Sequence, residues 1–328
     1  MTHHKIIPSY SLPGPEDISR VELPNGITIL VRTNHISPSA VITGYLPGGS
    51  LFDPAGFQGL ANFTASALMR GTTERNFQCI YDQLETAAAS LGFGGSVHNL
   101  SFGGRCLSED LPMLLQLVAE CLRKPVFPSE QVERLRVQAL TALAIRAQDT
   151  ADMASLTFDE LLFAGHPYGQ PEEGFKETVE RIQPQDLVEF HRKQFGPRGM
   201  VIAAAGAVTI EQMVDLVTQV LGDWLNPNQP PEPSVPPVRP LEAPIRKHLF
   251  IDGKSQTDLV MGALGPKRKD PDYFAASLGN NILGQFGMMG RIGEIVREKS
   301  GLAYSASTSL NAWISAGSYT GIIRGAAS

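Results

Sequence analysis

The segment PNQPPEPSVPPVRPLEAP, Pro227–Pro244, packs eight prolines into eighteen residues. Proline fixes φ and removes a backbone donor, so this stretch can hold neither a helix nor a central strand. It is expected to run extended, as a semi-rigid spacer. The chain then reads as an N-terminal extension over residues 1–20, a first lobe over 21–226, the spacer over 227–244 and a second lobe over 245–328.

In the first lobe, Val21 to Val31 reads as strand–turn–strand through Pro24-Asn25-Gly26, and a further strand covers Ala40 to Leu46. Two amphipathic helices follow, about Gly59 to Met69 and Phe77 to Leu91, the second with Ile80, Leu84 and Ala87 at helical spacing. Gly92 to Leu107 alternates like a strand pair, and its run Gly92-Phe93-Gly94-Gly95 suits a bend or close approach rather than a phosphate cradle. Helices are expected over Leu111 to Leu122, Pro128 to Gln148, Thr150 to Leu162, Pro184 to Gln194 and Thr209 to Leu221, with a strand over Met200 to Ala207. This order predicts an α+β lobe, an antiparallel-rich sheet covered by helices on one side. Beyond the spacer the pattern begins again: a strand over Leu259 to Leu264, then a helix over Pro271 to Leu283. A repeat of equal length would reach about a hundred residues past Ser328, so the second lobe is expected to be incomplete.

Composition narrows the function. A formal net charge of −6, with no basic stripe, excludes nucleic acid as a partner class. No apolar run reaches transmembrane length and Met1 to Pro15 lacks a signal-peptide core, so no membrane partner and a cytoplasmic address are expected. Cys79, Cys106 and Cys121 are odd in number and form no C-x-x-C pair, which argues against a disulfide framework or zinc knuckle and for small buried hydrophobes. His35, His98, His166, His191 and His248 each stand alone and read as structural. Gly284, Gly287 and Gly290 are wrongly spaced for a dinucleotide loop and follow a helix, which leaves a flexible turn.

The segment GGSLFDPAGFQGLANFTASALMRGT, Gly48 to Thr72, resembles the metal-binding helix of the pitrilysin and insulinase family of zinc peptidases. Active members carry the inverted signature His-x-x-Glu-His there. Two histidines four apart share a helical face and can grip one Zn²⁺, and the Glu beside the bound water acts as general base. Through Gly59-Leu60-Ala61 and Gly71-Thr72, the histidine positions fall on Asn62 and Ser66 and the base on Ala65. The third ligand, a Glu on a later helix, falls at or next to Ala142, where Thr141 and Leu143 cannot replace it. An amide, a hydroxyl and methyl groups do not make the site that imidazoles and carboxylate make. The resemblance therefore implies no cofactor in this chain and no independent activity.

A second segment, LGQFGMMGRIGEIVREKSGLAYSASTSL, Leu283 to Leu310, resembles the second lobe of the same family. In the family an Arg and a Tyr seven apart reach the cleft of the active subunit; here they are Arg297 and Tyr304. Gly301 ends a helix after Arg297 and Tyr304 begins a strand, so a guanidinium fork and a phenolic OH could converge on a peptide carbonyl. The same residues also suit purely structural roles, an Arg at a helix C-terminus and a Tyr at a strand start. Taken together, the resemblance implies one half of a clamshell: a non-catalytic subunit paired with a zinc-bearing homologue that cleaves peptides. The alternatives are a structural core-type subunit or a peptide-binding clamshell with no proteolytic role.

Overall fold

The computed structural model describes residues 14–231, 233–285 and 290–326. Its packing divides the chain into two units, each assembled from separate segments. The first comprises the described residues of Met1–Asp53, Leu60–Leu135 and Ile182–Glu232; the second, those of Pro54–Gly59, Arg136–Arg181 and Pro233–Ser328.

The first unit is built on a six-stranded sheet in the order β1-β2-β6-β3-β5-β4. The strands are β1 (Ser19–Glu22), β2 (Thr28–Thr33), β3 (Ser39–Pro47), β4 (Ser90–Gly95), β5 (Asn99–Leu107) and β6 (Val201–Gly206). All neighbours are antiparallel except β2 and β6. Side chains alternate between faces, so Ala40, Ile42 and Leu46 of β3 are buried while Val41 and Tyr45 are exposed. Ile29 and Val31, Leu100 and Phe102, and Ile202 and Ala204 extend the same buried face across the sheet.

Helices cover that face: α1 (Leu60–Ala67), α2 (Phe77–Thr86), α3 (Leu111–Arg123), α7 (Pro184–Gln194) and α8 (Ile210–Leu221). α8 lies on β2 and α3, α3 on β5, and α1 on β4 and α7. Their starts are written locally. Thr209 accepts the Gln212 N–H at 3.3 Å while Gln212 accepts the Thr209 N–H at 2.9 Å, a reciprocal cap at the head of α8. Asn76 caps α2 by accepting the Cys79 N–H at 2.9 Å.

Two expectations require correction here. α2 stops at Thr86 rather than near Leu91, because Ala88 turns left-handed at φ 46°. The Ala88 N–H then reaches Glu85 (3.0 Å) and the Ala89 N–H reaches Leu84 (2.8 Å), a Schellman closure made with alanine where glycine is usual. Cys79, expected to be buried, is exposed, since Ile80 and Leu84 are the inward residues of α2. Cys106 and Cys121 are buried, and burial pushes their thiols up to about 11 and about 12, which leaves them unreactive.

Helix α4 (Ser129–Arg146) begins in the first unit and continues into the second from Arg136. The second unit also holds α5 (Thr150–Leu162), α6 (Lys176–Arg181), which the sequence pattern does not announce, and an antiparallel sheet in the order β7-β9-β8. Its strands are β7 (Thr257–Gly265), β8 (Ser305–Ala312) and β9 (Gly317–Ala326). α5 packs on β7, and α9 (Tyr273–Asn280) packs on β8. The helix expected over Pro271 to Leu283 is shorter as an α-helix and passes into a π-helical turn, Asn281–Gln285. Then come α10 (Arg291–Gly293) and a second π-helical stretch, Glu294–Lys299. Gly287 lies outside the described residues.

The two units repeat one topology. Strand–helix–helix–strand–strand places β5 between β3 and β4, and the same run places β9 between β7 and β8. The architecture is α+β with two homologous sheets, as the pattern predicts. No helix among the described residues is long and apolar enough to cross a membrane.

Two carboxyl groups, one in each unit, contribute to stability in opposite ways. In the first, Glu120 of α3 is only 5% exposed and forms an ion pair with Arg75, the residue just before the cap of α2. Gln83 accepts the Arg75 Nε–H at 2.9 Å and Gln116 donates to Glu120 at 2.9 Å, so the loop before α2 is tied to α3. Arg75→Ala strands a buried carboxylate and is expected to cost about 3 kcal/mol in urea unfolding, with Glu120→Gln in the same background restoring most of it. In the second unit, burial alone pushes Asp159 of α5 up from 3.8 to about 6. Its protonated form suits the fold, so that contribution is complete below pH about 4 and is lost as pH rises through about 6. Asp159→Asn should therefore raise Tm relative to the parent at pH 7, and the gain should shrink toward pH 4 in parallel thermal melts.

Candidate functional site

Helix α1 starts where Asp53 accepts the Ala61 N–H at 2.8 Å, and Thr64 returns its hydroxyl to the Leu60 carbonyl at 2.7 Å. Leu60, Ala61, Phe63, Ala65 and Ala67 are buried, whereas Asn62 is half-buried and Ser66 is exposed. Asn62 and Ser66 thus share the less buried face, one helical turn apart, as their four-residue spacing requires. Ala65 is 1% exposed and serves as core. The helix meets β4 closely: a β-carbon at Gly95 would lie 2.8 Å from the Asn62 Cα. Ala142 is exposed on the part of α4 that belongs to the second unit.

These positions offer an amide, two methyl groups and a hydroxyl. Zinc sites of the resembled type need imidazole nitrogens and a carboxylate, so the groups present do not fit the ion. Among the described residues, no three His, Cys, Asp or Glu side chains are grouped to hold a metal.

Arg297 and Tyr304 flank a helix stop in the second unit. The Gly301 N–H returns to the Arg297 carbonyl at 3.0 Å and the Leu302 N–H to Val296 at 3.0 Å, with Gly301 left-handed at φ 61°. Tyr304 lies one residue before β8 rather than as its first residue, and is 59% exposed. Its ring rests against Gly325 of β9, so closely that a β-carbon there would overlap ring carbons Cδ1 and Cε1. The Arg297 Nε lies 3.6 Å from the Glu298 carboxylate, a partly exposed pair that costs little to separate. Among the described residues no hydrogen bond joins Arg297 to Tyr304; Arg297 is half-buried and Tyr304 exposed on the same short connection.

Two of the lone histidines are structural, as expected. His166 accepts the Tyr168 N–H at Nδ1 (3.1 Å), and its Nε2 meets the Pro236 carbonyl of the spacer at 2.9 Å. Around it, Phe163, Tyr168 and Trp313 stack edge to face or tilted, and the Tyr168 OH accepts the Ser315 N–H at 3.2 Å. His191 sits 2.8 Å from the Leu122 carbonyl; burial pushes its pKa down, partly opposed by that hydrogen bond.

Nothing in sequence spacing flagged Asp258, whose carboxylate accepts the Gly325 N–H at 3.1 Å and the Thr150 hydroxyl. The one available signal was an acid at the head of an otherwise apolar strand.

Comparison with known proteins gives two consecutive family matches. Residues 28–169 match the sequence model of a family described as insulinase, peptidase family M16, and residues 181–323 match one described as the peptidase M16 inactive domain. A Mycobacterium bovis protein named an uncharacterized zinc protease is 27% identical over 298 residues, 91% of this chain and 68% of that protein. The β subunit of the Saccharomyces cerevisiae mitochondrial-processing peptidase is 27% identical over 293 residues, 87% of this chain and 62% of that protein. A crystal structure of a peptidase M16 inactive domain from Pseudomonas fluorescens superposes with a TM-score of 0.87 at 27% identity, covering 94% of this chain and 74% of that one. The two family matches together span most of the sequence, and the chain belongs to peptidase family M16, the insulinase family.

Proposed function

We propose that this chain is the non-catalytic subunit of a two-subunit zinc peptidase. A homologous partner supplies metal, water and base, and this chain supplies one wall of the peptide chamber together with Arg297 and Tyr304. The observation that carries the reading is the donor set: Asn62, Ala65 and Ser66 on α1, and Ala142 on α4, the positions the family resemblance implies for the ligands and base, offer an amide, a hydroxyl and methyl groups. Support comes from the match to an inactive-domain description and from a yeast relative that is, by name, one subunit of a processing peptidase.

The physical division of labour is consistent. A guanidinium and a phenolic OH are both hydrogen-bond donors, suited to holding peptide carbonyls, and neither generates a nucleophile. Both are accessible, Tyr304 by more than half its surface. Peptide would add as a strand to a sheet edge of the partner, where main-chain hydrogen bonds make recognition largely independent of side chains.

Two outcomes follow. After incubation with excess zinc and dialysis, the isolated chain should hold far less than one zinc per molecule by atomic absorption and leave an unfolded peptide intact; chelatable stoichiometric zinc with cleavage would sink the reading. Mixed with a His-x-x-Glu-His subunit from the same cell, it should restore cleavage. In that mixture Arg297→Ala should lower kcat/KM by about 10- to 100-fold and Tyr304→Phe by about 5-fold, the loss of one charged and one neutral hydrogen bond. Unchanged kinetics in both variants would remove the positioning role.

A further inference from the structure

We propose that Asp258 is the residue that positions Tyr304, acting through the backbone of Gly325. The inference rests on the reading that Tyr304 meets peptide, but its geometry stands apart from that reading.

β8 and β9 pair Ser305 with Arg324, so Tyr304 and Gly325 are the next residues outward along the ladder. There the Tyr304 ring lies against the Gly325 backbone, which adopts φ 66°, a conformation that an L-residue occupies at a cost of about 1 kcal/mol and glycine does not. Gly325 is therefore both the shelf for the ring and the position where any other residue would displace it.

That conformation is held from the opposite strand. Between the pairs Thr257–Ala326 and Leu259–Ile323 the register slips, so that Asp258 alone faces Arg324 and Gly325, a β-bulge. One Asp258 oxygen accepts the Gly325 N–H at 3.1 Å. The other accepts the hydroxyl of Thr150, the first residue of α5. A single carboxylate thus ties α5, β7 and the end of β9 together, and the exposed tyrosine inherits its orientation from that tie. With 59% of its surface open, Tyr304 has little burial of its own to fix it. Asp258 is a positioning residue here: it acts on Tyr304 through Gly325 and needs no contact with peptide.

The test uses the full chain with ¹³C-labelled glycine and tyrosine. Gly325 Hα protons stacked on a ring should be shifted upfield by the ring current, and Tyr304→Leu should abolish that shift and so assign the signal among the 32 glycines. Asp258→Ala is expected to return the Gly325 signal toward the position seen in Tyr304→Leu. Asp258→Asn, whose amide oxygen still accepts the Gly325 N–H, is expected to retain it. Gly325→Ala leaves Asp258 in place and should move the Tyr304 ring resonances, which keeps the shelf testable if Asp258→Ala does not fold; Asp258→Val, β-branched and suited to a strand, then replaces it.

An upfield Gly325 signal that survives Asp258→Ala or Asp258→Val, or Tyr304 resonances unmoved by Gly325→Ala, overturns the proposal. Cleavage by the reconstituted pair separates the two readings. If Tyr304→Phe leaves cleavage unchanged while Asp258→Ala still shifts Gly325, the peptide-contact role fails and the positioning relation stands. If both hold, Asp258→Ala should lower kcat/KM about as much as Tyr304→Phe, with Asp258→Asn recovering most of the loss.

Discussion

In both units the last strand of a strand–helix–helix–strand–strand run inserts between the two that precede it. That insertion fixes which backbone is left at an edge. In the first unit it sends β4 to the rim and brings α1 down on it, with Gly95 letting the helix backbone approach. In the second it sends β8 to the rim, and the residue entering that strand is Tyr304. Edge strands and the segments that lead into them are where a sheet meets other molecules, so one topological rule places both segments of interest at sheet margins.

The tertiary ties have a common logic, in which a polar group closes a junction that apolar packing alone would leave loose. Arg75 and Glu120 join the loop before α2 to α3, at the burial cost of Glu120 and part of Arg75, with Gln83 and Gln116 each adding a hydrogen bond to the pair. His166 and Tyr168 tie the end of α5 to the spacer and to the β8–β9 hairpin. Asp258 does the same for α5, β7 and β9. In each case the charged or aromatic group bridges elements far apart in sequence, and its loss would loosen a junction before it emptied the core.

Period and capping made much of the fold legible. The alternation of β3, the Thr-x-x-Gln box of α8 and the proline-dense break after Leu225 are local signals, and local physics decides them. The end of α2 was not legible, because Ala87, Ala88 and Ala89 favour helix intrinsically and the stop is imposed by the turn into β4. Cys79 was misplaced because residue type was read without the helical face it occupies. Of the candidate site, Arg297 and Tyr304 came into view only through the resemblance of their flanking segment to the family, whereas Asp258 and Gly325 did not come into view. Their hydrogen bond spans 67 residues and depends on a register slip that no sequence period encodes.

The packing of α1 is separable from the identity of the residues on its less buried face. The fold draws on Leu60, Ala61, Phe63, Ala65 and Ala67, which fill the space beside β4 and α7. The face that carries Asn62 and Ser66 contributes far less burial, Asn62 being half-buried and Ser66 exposed. Residue identity there is therefore little constrained by the core, whereas a carboxylate in place of Ala65, 1% exposed, would have to be desolvated. In the absence of zinc, a small apolar residue at that position is thus the more stable choice. In the second unit, Tyr304 at 59% exposure and the half-buried Arg297 likewise add little to the apolar core.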